Sequence, residues 1–104
     1  MQDLTSKQRA YLRKLANPID AILQVGKQGT APELIAAVDE ALEARELIKL
    51  SVLNNCDESA REVADILSKA ARAECVHVIG KKVVLYRPNP ENPVIKLPKG
   101  KTGN

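Results

Sequence analysis

Val25-Gly26-Lys27-Gln28-Gly29-Thr30 is the stretch whose residue types and spacing suit a chemical task. A short apolar run ends there in a basic, glycine-bracketed loop that opens into a helix. Gly26 and Gly29 permit positive φ and close backbone approach, the helix start offers unpaired N–H groups, and Lys27 adds a mobile cation. Such a loop is suited to an anion, and a phosphate above all. The pattern alone is not specific, because glycines at a strand-to-helix turn also serve only to relieve strain. It lacks the Gly-x-x-x-x-Gly-Lys-Ser/Thr spacing of a nucleotide-binding P-loop. Nor is a His, Cys or carboxylate group poised beside it for acid–base work, so the chain is read as a non-enzyme without a cofactor.

Charge along the chain is uneven. Residues 1–29 hold five basic and two acidic side chains, residues 30–80 five and ten, and residues 81–104 six and one, within a net charge of +3. Basic character thus belongs to the two ends, and function depends on whether they meet in space. At 104 residues one domain with one core is expected. No apolar run approaches the roughly 20 residues that span a bilayer and no signal-like segment opens the chain, which implies a cytoplasmic protein with no membrane partner. Cys56, Cys75 and His77 lack the spacing of a metal site, and both thiols are expected to stay reduced.

The elements that position the loop follow from caps and periodicity. A first helix starts at Thr5, with Gln8 completing a capping box, and stops before Asn17-Pro18. Leu4, Tyr11, Leu12 and Leu15 share its apolar face, with Arg9 and Arg13 on the opposite pole. Residues 21–25 form a strand. Thr30 and Glu33 have capping-box spacing, with Pro32 in the first turn of a second helix. Its apolar face holds Leu34, Ile35, Val38 and Leu42, and its other side Asp39, Glu40 and Glu43. A strand over 47–53 follows, then a third helix from Ser59, again with capping-box spacing to Glu62. Residues 74–79 and 82–87 are strands joined by the Gly80-Lys81 hairpin turn. Pro88, Pro90 and Pro93 cannot continue a central strand, which divides the chain into a body over residues 1–88 and a flexible Pro/Lys-rich tail over residues 89–104.

Right-handed crossovers make the strand–helix–strand units parallel, and the hairpin adds an antiparallel strand, for an α/β fold with a small mixed sheet. Ligands of such sheets gather beyond the carboxyl ends of the parallel strands, where the Gly26–Gly29 loop belongs. Lys81 and Lys82, leaving the hairpin, are predicted to share that edge with Lys27.

These residues also resemble a known family. Residues 4–13 at the start, 25–29 in the loop, 45–49 entering the second strand, and 78–81 with 85–88 at the close resemble the CRM domain, the chloroplast RNA splicing and ribosome maturation module, in its stand-alone bacterial YhbY form. The likeness covers nearly the whole chain. It implies a two-layer β-α-β-α-β-β core preceded by an N-terminal helix, similar to the C-terminal domain of bacterial translation initiation factor three. The fourth strand would be antiparallel and lie between the second and third, for the order 1-2-4-3. It also implies RNA binding through the Gly-x-x-Gly loop, and an association with precursors of the large ribosomal subunit.

The expected RNA-binding set is therefore Gly26, Lys27, Gln28, Gly29 and Thr30. Arg9, Arg13, Lys81 and Lys82 are added from charge and geometry. With only two tyrosines, Tyr11 and Tyr86, as aromatics, the chain cannot build a base-stacking platform, so recognition through RNA shape and phosphate is expected. The expected partners of this monomer are ribosomal RNA and ribosomal proteins. The alternatives are a protein-interaction module using the acidic side of the second helix, Asp39, Glu40 and Glu43, and a small phosphate-ligand binder.

Overall fold

The computed structural model describes residues 4–91 and 93–98. Three helices, α1 (Ser6–Ala16), α2 (Pro32–Arg45) and α3 (Ala60–Ala70), alternate with strands β1 (Leu23–Val25), β2 (Leu47–Val52), β3 (Glu74–Ile79) and β4 (Lys82–Tyr86). Two helix starts form as the spacing predicts. The Thr5 hydroxyl accepts the Gln8 N–H while the Gln8 side chain accepts the Thr5 N–H, both at 3.1 Å. Ser59 and Glu62 reciprocate in the same way before α3, at 2.8 and 3.1 Å. Each box satisfies donors that the helix itself leaves unpaired.

The third predicted box does not form. Ala31, without a side-chain hydrogen bond, is the cap of α2, and Pro32 takes the first helical position. Thr30 lies one residue too early, and both its N–H and its hydroxyl are bound by Glu58 instead. A long-range carboxylate has displaced the local cap.

The sheet order is β1-β2-β4-β3. β1 runs parallel to β2, with Val25 opposite Val52, and β4 runs antiparallel to both β2 and β3. Gly80 turns the final hairpin with φ +56°, the conformation that a Gly-X turn requires. β1 is shorter than its apolar run, although Ile22 still donates its N–H to Lys49 O at 3.0 Å. α2 and α3 form the second layer of the β-α-β-α-β-β core, burying Val38, Leu42, Val63 and Leu67 against Ile48, Leu50, Val83 and Leu85. α1 lies across the opposite sheet face, where Leu12 and Ala16 meet Leu47, Val76, Val84 and Tyr86. Each fully buried aliphatic side chain contributes about 1.5–3 kcal/mol, which fixes the sheet as the platform for its loops.

Beyond Arg87 the chain returns to the body. The Glu46 carboxylate, 1% exposed, accepts the N–H groups of Asn89, Val94 and Ile95 at 2.5, 2.8 and 2.6 Å. Ile95 and Leu97 join the apolar cluster beneath α1, and the Gln8 amide donates to Pro98 O at 3.2 Å. The prolines do exclude a strand, but a buried acceptor holds Asn89, Val94 and Ile95 without a ladder. The expected mobile tail also includes residues 99–104, which lie outside the described residues.

Candidate nucleic-acid interface

The Gly-x-x-Gly loop is a tight turn set into the end of the sheet. Val25 O accepts the Leu53 N–H at 2.8 Å, which ties the loop base to the end of β2, and Gly26 O accepts the Gly29 N–H at 2.9 Å, which closes the turn. Gly29 has φ +62°, where a side chain is strained, and a Cβ there would stand 2.5 Å from Glu58 Oε1. Gly26 is less constrained, since its Cβ would meet Asn55 and Leu53 at 3.5 and 3.6 Å, ordinary contact distances. Between them Lys27 and Gln28 are exposed at the tip.

The hairpin arrives at the same edge. Val52 donates its N–H to Lys81 O at 2.7 Å, and Lys82 is opposite Ser51, whose hydroxyl its Nζ reaches at 2.9 Å. β1 and β4 flank β2, so the two basic segments leave strands about 10 Å apart. Lys27, Lys81 and Lys82 are all exposed there. The turn between β2 and α3 completes the edge with Asn54, Asn55, Asp57 and Glu58, and a shallow polar depression lined by Lys27, Gln28, Thr30, Asp57 and Glu58 lies over the loop.

The α1 cations are placed differently. Arg9 Nη1 donates to Cys75 O at 2.8 Å and Nη2 pairs with Glu74 Oε2 at 3.1 Å. Glu74 is opposite Tyr86, at the end of β3 far from Gly80, and β3 is the sheet edge farthest from β1. The structure thus brings Lys81 and Lys82 to the loop but puts Arg9 at the opposite corner. Arg13 is exposed on α1, over the sheet face turned away from α2. Helical periodicity gave the polar face of α1 but not where that face lies on the sheet.

The acidic side of α2 is partly neutralised. Arg87 Nη1 pairs with Asp39 Oδ1 at 2.7 Å and Nη2 with Glu43 Oε2 at 3.3 Å, while the same guanidinium donates to Ala71 O and Asp39 O at 2.8 and 3.0 Å. Of the three carboxylates, only Glu40 lacks an ion pair among the described residues. Sequence reasoning missed Arg87, Glu46 and Glu58. Each acts over a separation of at least 16 residues, beyond any periodicity or cap.

Neither cysteine has the setting of a nucleophile. Both thiols are free and half-buried, and burial pushes that of Cys75 above its ordinary value, an effect that Arg61 partly opposes. Among the described residues no group of three His, Cys, Asp or Glu side chains is placed to hold a metal, and no helix is long and apolar enough to cross a membrane.

The profile of the CRS1/YhbY (CRM) domain matches residues 4–87. The chain belongs to this family. It is 48% identical over 95 residues to the Probable RNA-binding protein YqeI of Bacillus subtilis, covering 91% of this chain and 99% of that one. An RNA-binding protein of Haemophilus influenzae is 31% identical over 99 residues, covering 95% and 99%. Among solved structures, the hypothetical protein SAV1595 from Staphylococcus aureus superposes with a TM-score of 0.77 at 49% identity, over 92% of this chain and 100% of that one. In this CRM domain the family likeness spans α1 through β4 and so includes the whole loop edge.

Proposed function

We propose that this protein is a non-enzymatic, cytoplasmic, monomeric RNA-binding protein that grips ribosomal RNA and assists assembly of the large ribosomal subunit. The observation that carries this reading is the convergence of Lys27 with Lys81 and Lys82, far apart in sequence, around a glycine-bracketed turn on one sheet edge. Gly26 and Gly29 let an RNA backbone approach the loop, Gln28 and Thr30 offer polar groups, and the three lysines neutralise neighbouring phosphates. Such contacts read shape and backbone, in keeping with a chain that has no aromatic platform. The names of its relatives support RNA as the partner. Arg9 stays outside this contact, because its guanidinium is held by Glu74 and Cys75. A protein-docking role for the acidic side of α2 is not favoured, since Arg87 already pairs with Asp39 and Glu43.

Fluorescence anisotropy of a labelled large-subunit rRNA fragment, titrated across a salt series, tests the reading. Log affinity is expected to fall with log salt by about 0.7–0.9 per phosphate contact, and Lys27→Ala to make that slope shallower by one contact. Absence of salt-dependent binding by the wild-type protein would overturn it. Equal binding by Lys27→Ala would move the contact away from the loop.

A further inference from the structure

The Thr30 N–H that the loop turns outward already holds an anion, and it belongs to the protein. Glu58 Oε1 accepts that N–H at 2.9 Å, and the Thr30 hydroxyl lies 3.2 and 3.0 Å from Oε1 and Oε2. The carboxylate lies directly over Gly29, where a Cβ would meet Oε1 at 2.5 Å. A phosphate oxygen bound to the Thr30 N–H would have to occupy the place of Oε1. We propose that Glu58 is an internal stand-in for phosphate, which RNA must displace to engage the loop, and which therefore sets the affinity of the site. The inference rests on the RNA-binding reading above and adds the residue that regulates it.

Displacement requires little else to move. Glu58 immediately precedes Ser59, the cap of α3, and Ser59 is fixed by its reciprocal bonds with Glu62, so rotation of the Glu58 side chain is enough to vacate the site. The freed Thr30 donors then face the depression that Lys27 also lines. While Glu58 stays, its charge opposes a phosphate arriving beside Lys27. Two like charges about 4 Å apart in water differ from a neutral pair by about fivefold in binding, more where solvent is excluded.

Glu58→Gln separates charge from bracing, because the amide oxygen can still accept the Thr30 N–H. With the same rRNA fragment at low salt, Glu58→Gln is expected to bind about fivefold more tightly than wild type, the gap closing as salt rises. In ¹H–¹⁵N spectra, inorganic phosphate should shift the Thr30 amide of Glu58→Gln at lower concentration than that of the wild type. Equal or weaker RNA binding by a folded Glu58→Gln, with an unchanged phosphate response, would make Glu58 a brace and overturn the proposal. If neither protein binds RNA, the RNA-binding reading falls, and the phosphate titration alone decides the role of Glu58.

Discussion

The two ends of the sheet use the same kinds of charged residue in opposite ways. Where β2 finishes, Lys27 and Lys81 are exposed at a turn and a hairpin, and the exposed Lys82 donates to a serine hydroxyl. Where β2 begins, Glu46 is sealed under three backbone N–H groups, Arg87 bridges α2 to Ala71, and Arg9 ties α1 to the edge of β3. Buried or fully bonded charges are costly to disturb, whereas exposed cations contribute little to folding and remain available to a polyanion. One end is scaffold and the other is the proposed interface, a division that net charge does not reveal.

Glu46→Gln should produce the largest effect. The amide can replace only part of the carboxylate's acceptor capacity and turns an NH₂ group toward backbone donors. Each buried donor left unpaired costs about 1–3 kcal/mol, so a loss of about 3 kcal/mol in urea unfolding is expected. RNA affinity of the folded fraction should stay within about twofold, because the loop lies at the other end. A loss of stability below about 1 kcal/mol would show that Glu46 does not hold the closed end. A parallel loss of RNA binding would show that the ends are coupled.

Lys27→Ala and Arg9→Ala sharpen the comparison from both sides. Lys27→Ala should weaken RNA binding by about 1 kcal/mol, the scale of a charge-assisted hydrogen bond, and leave stability within about 0.5 kcal/mol. Arg9→Ala should do the reverse, lowering stability by about 1 kcal/mol through the lost bonds to Cys75 and Glu74, with RNA affinity nearly unchanged. Anisotropy and urea denaturation on the same two variants separate the cases. If Arg9→Ala loses as much RNA affinity as Lys27→Ala, the corner of β3 belongs to the interface after all.

Local signals carried most of the fold and part of the site. The caps at Thr5 and Ser59 and the Gly80-Lys81 turn are written over a few adjacent residues, and each formed where its spacing placed it. The convergence of Lys27 with Lys81 and Lys82 was also legible, because the direction of the strands follows from crossover handedness. Thr30 shows the limit. Its spacing to Glu33 matched a capping box, yet Glu58, 28 positions away, offered a charged acceptor to both the Thr30 N–H and hydroxyl, and a charged acceptor outcompetes a local cap. The placement of Arg9 was hidden for a related reason. Helical periodicity separates its pole from Leu12 but cannot say that the edge of β3, with the Glu74 carboxylate, lies within reach.

The smallest effect is expected in alkali, where the closed end should weaken first. Tyr86 is buried beside Glu46, and burial followed by the Glu46 charge raises its phenol above the ordinary value of 10.0. Burial likewise raises the Cys75 thiol above 9.0. Both groups hold their protons more tightly in the folded chain than in the unfolded one. Their contribution is therefore fully present below their ordinary values and is lost as pH rises through them, where the unfolded chain sheds protons that the native chain keeps. Urea midpoints should stay level on their account to about pH 8 and begin to fall above about pH 9, with a slope of at most about 1.4 kcal/mol per pH unit for each group. The informative quantity is the difference between wild type and Tyr86→Phe, which keeps the ring and removes the ionisable hydroxyl. That variant should decline less steeply than wild type. Identical alkaline curves would mean that Tyr86 titrates as it does in the unfolded chain, and would remove it from the charge-sensitive part of the closed end.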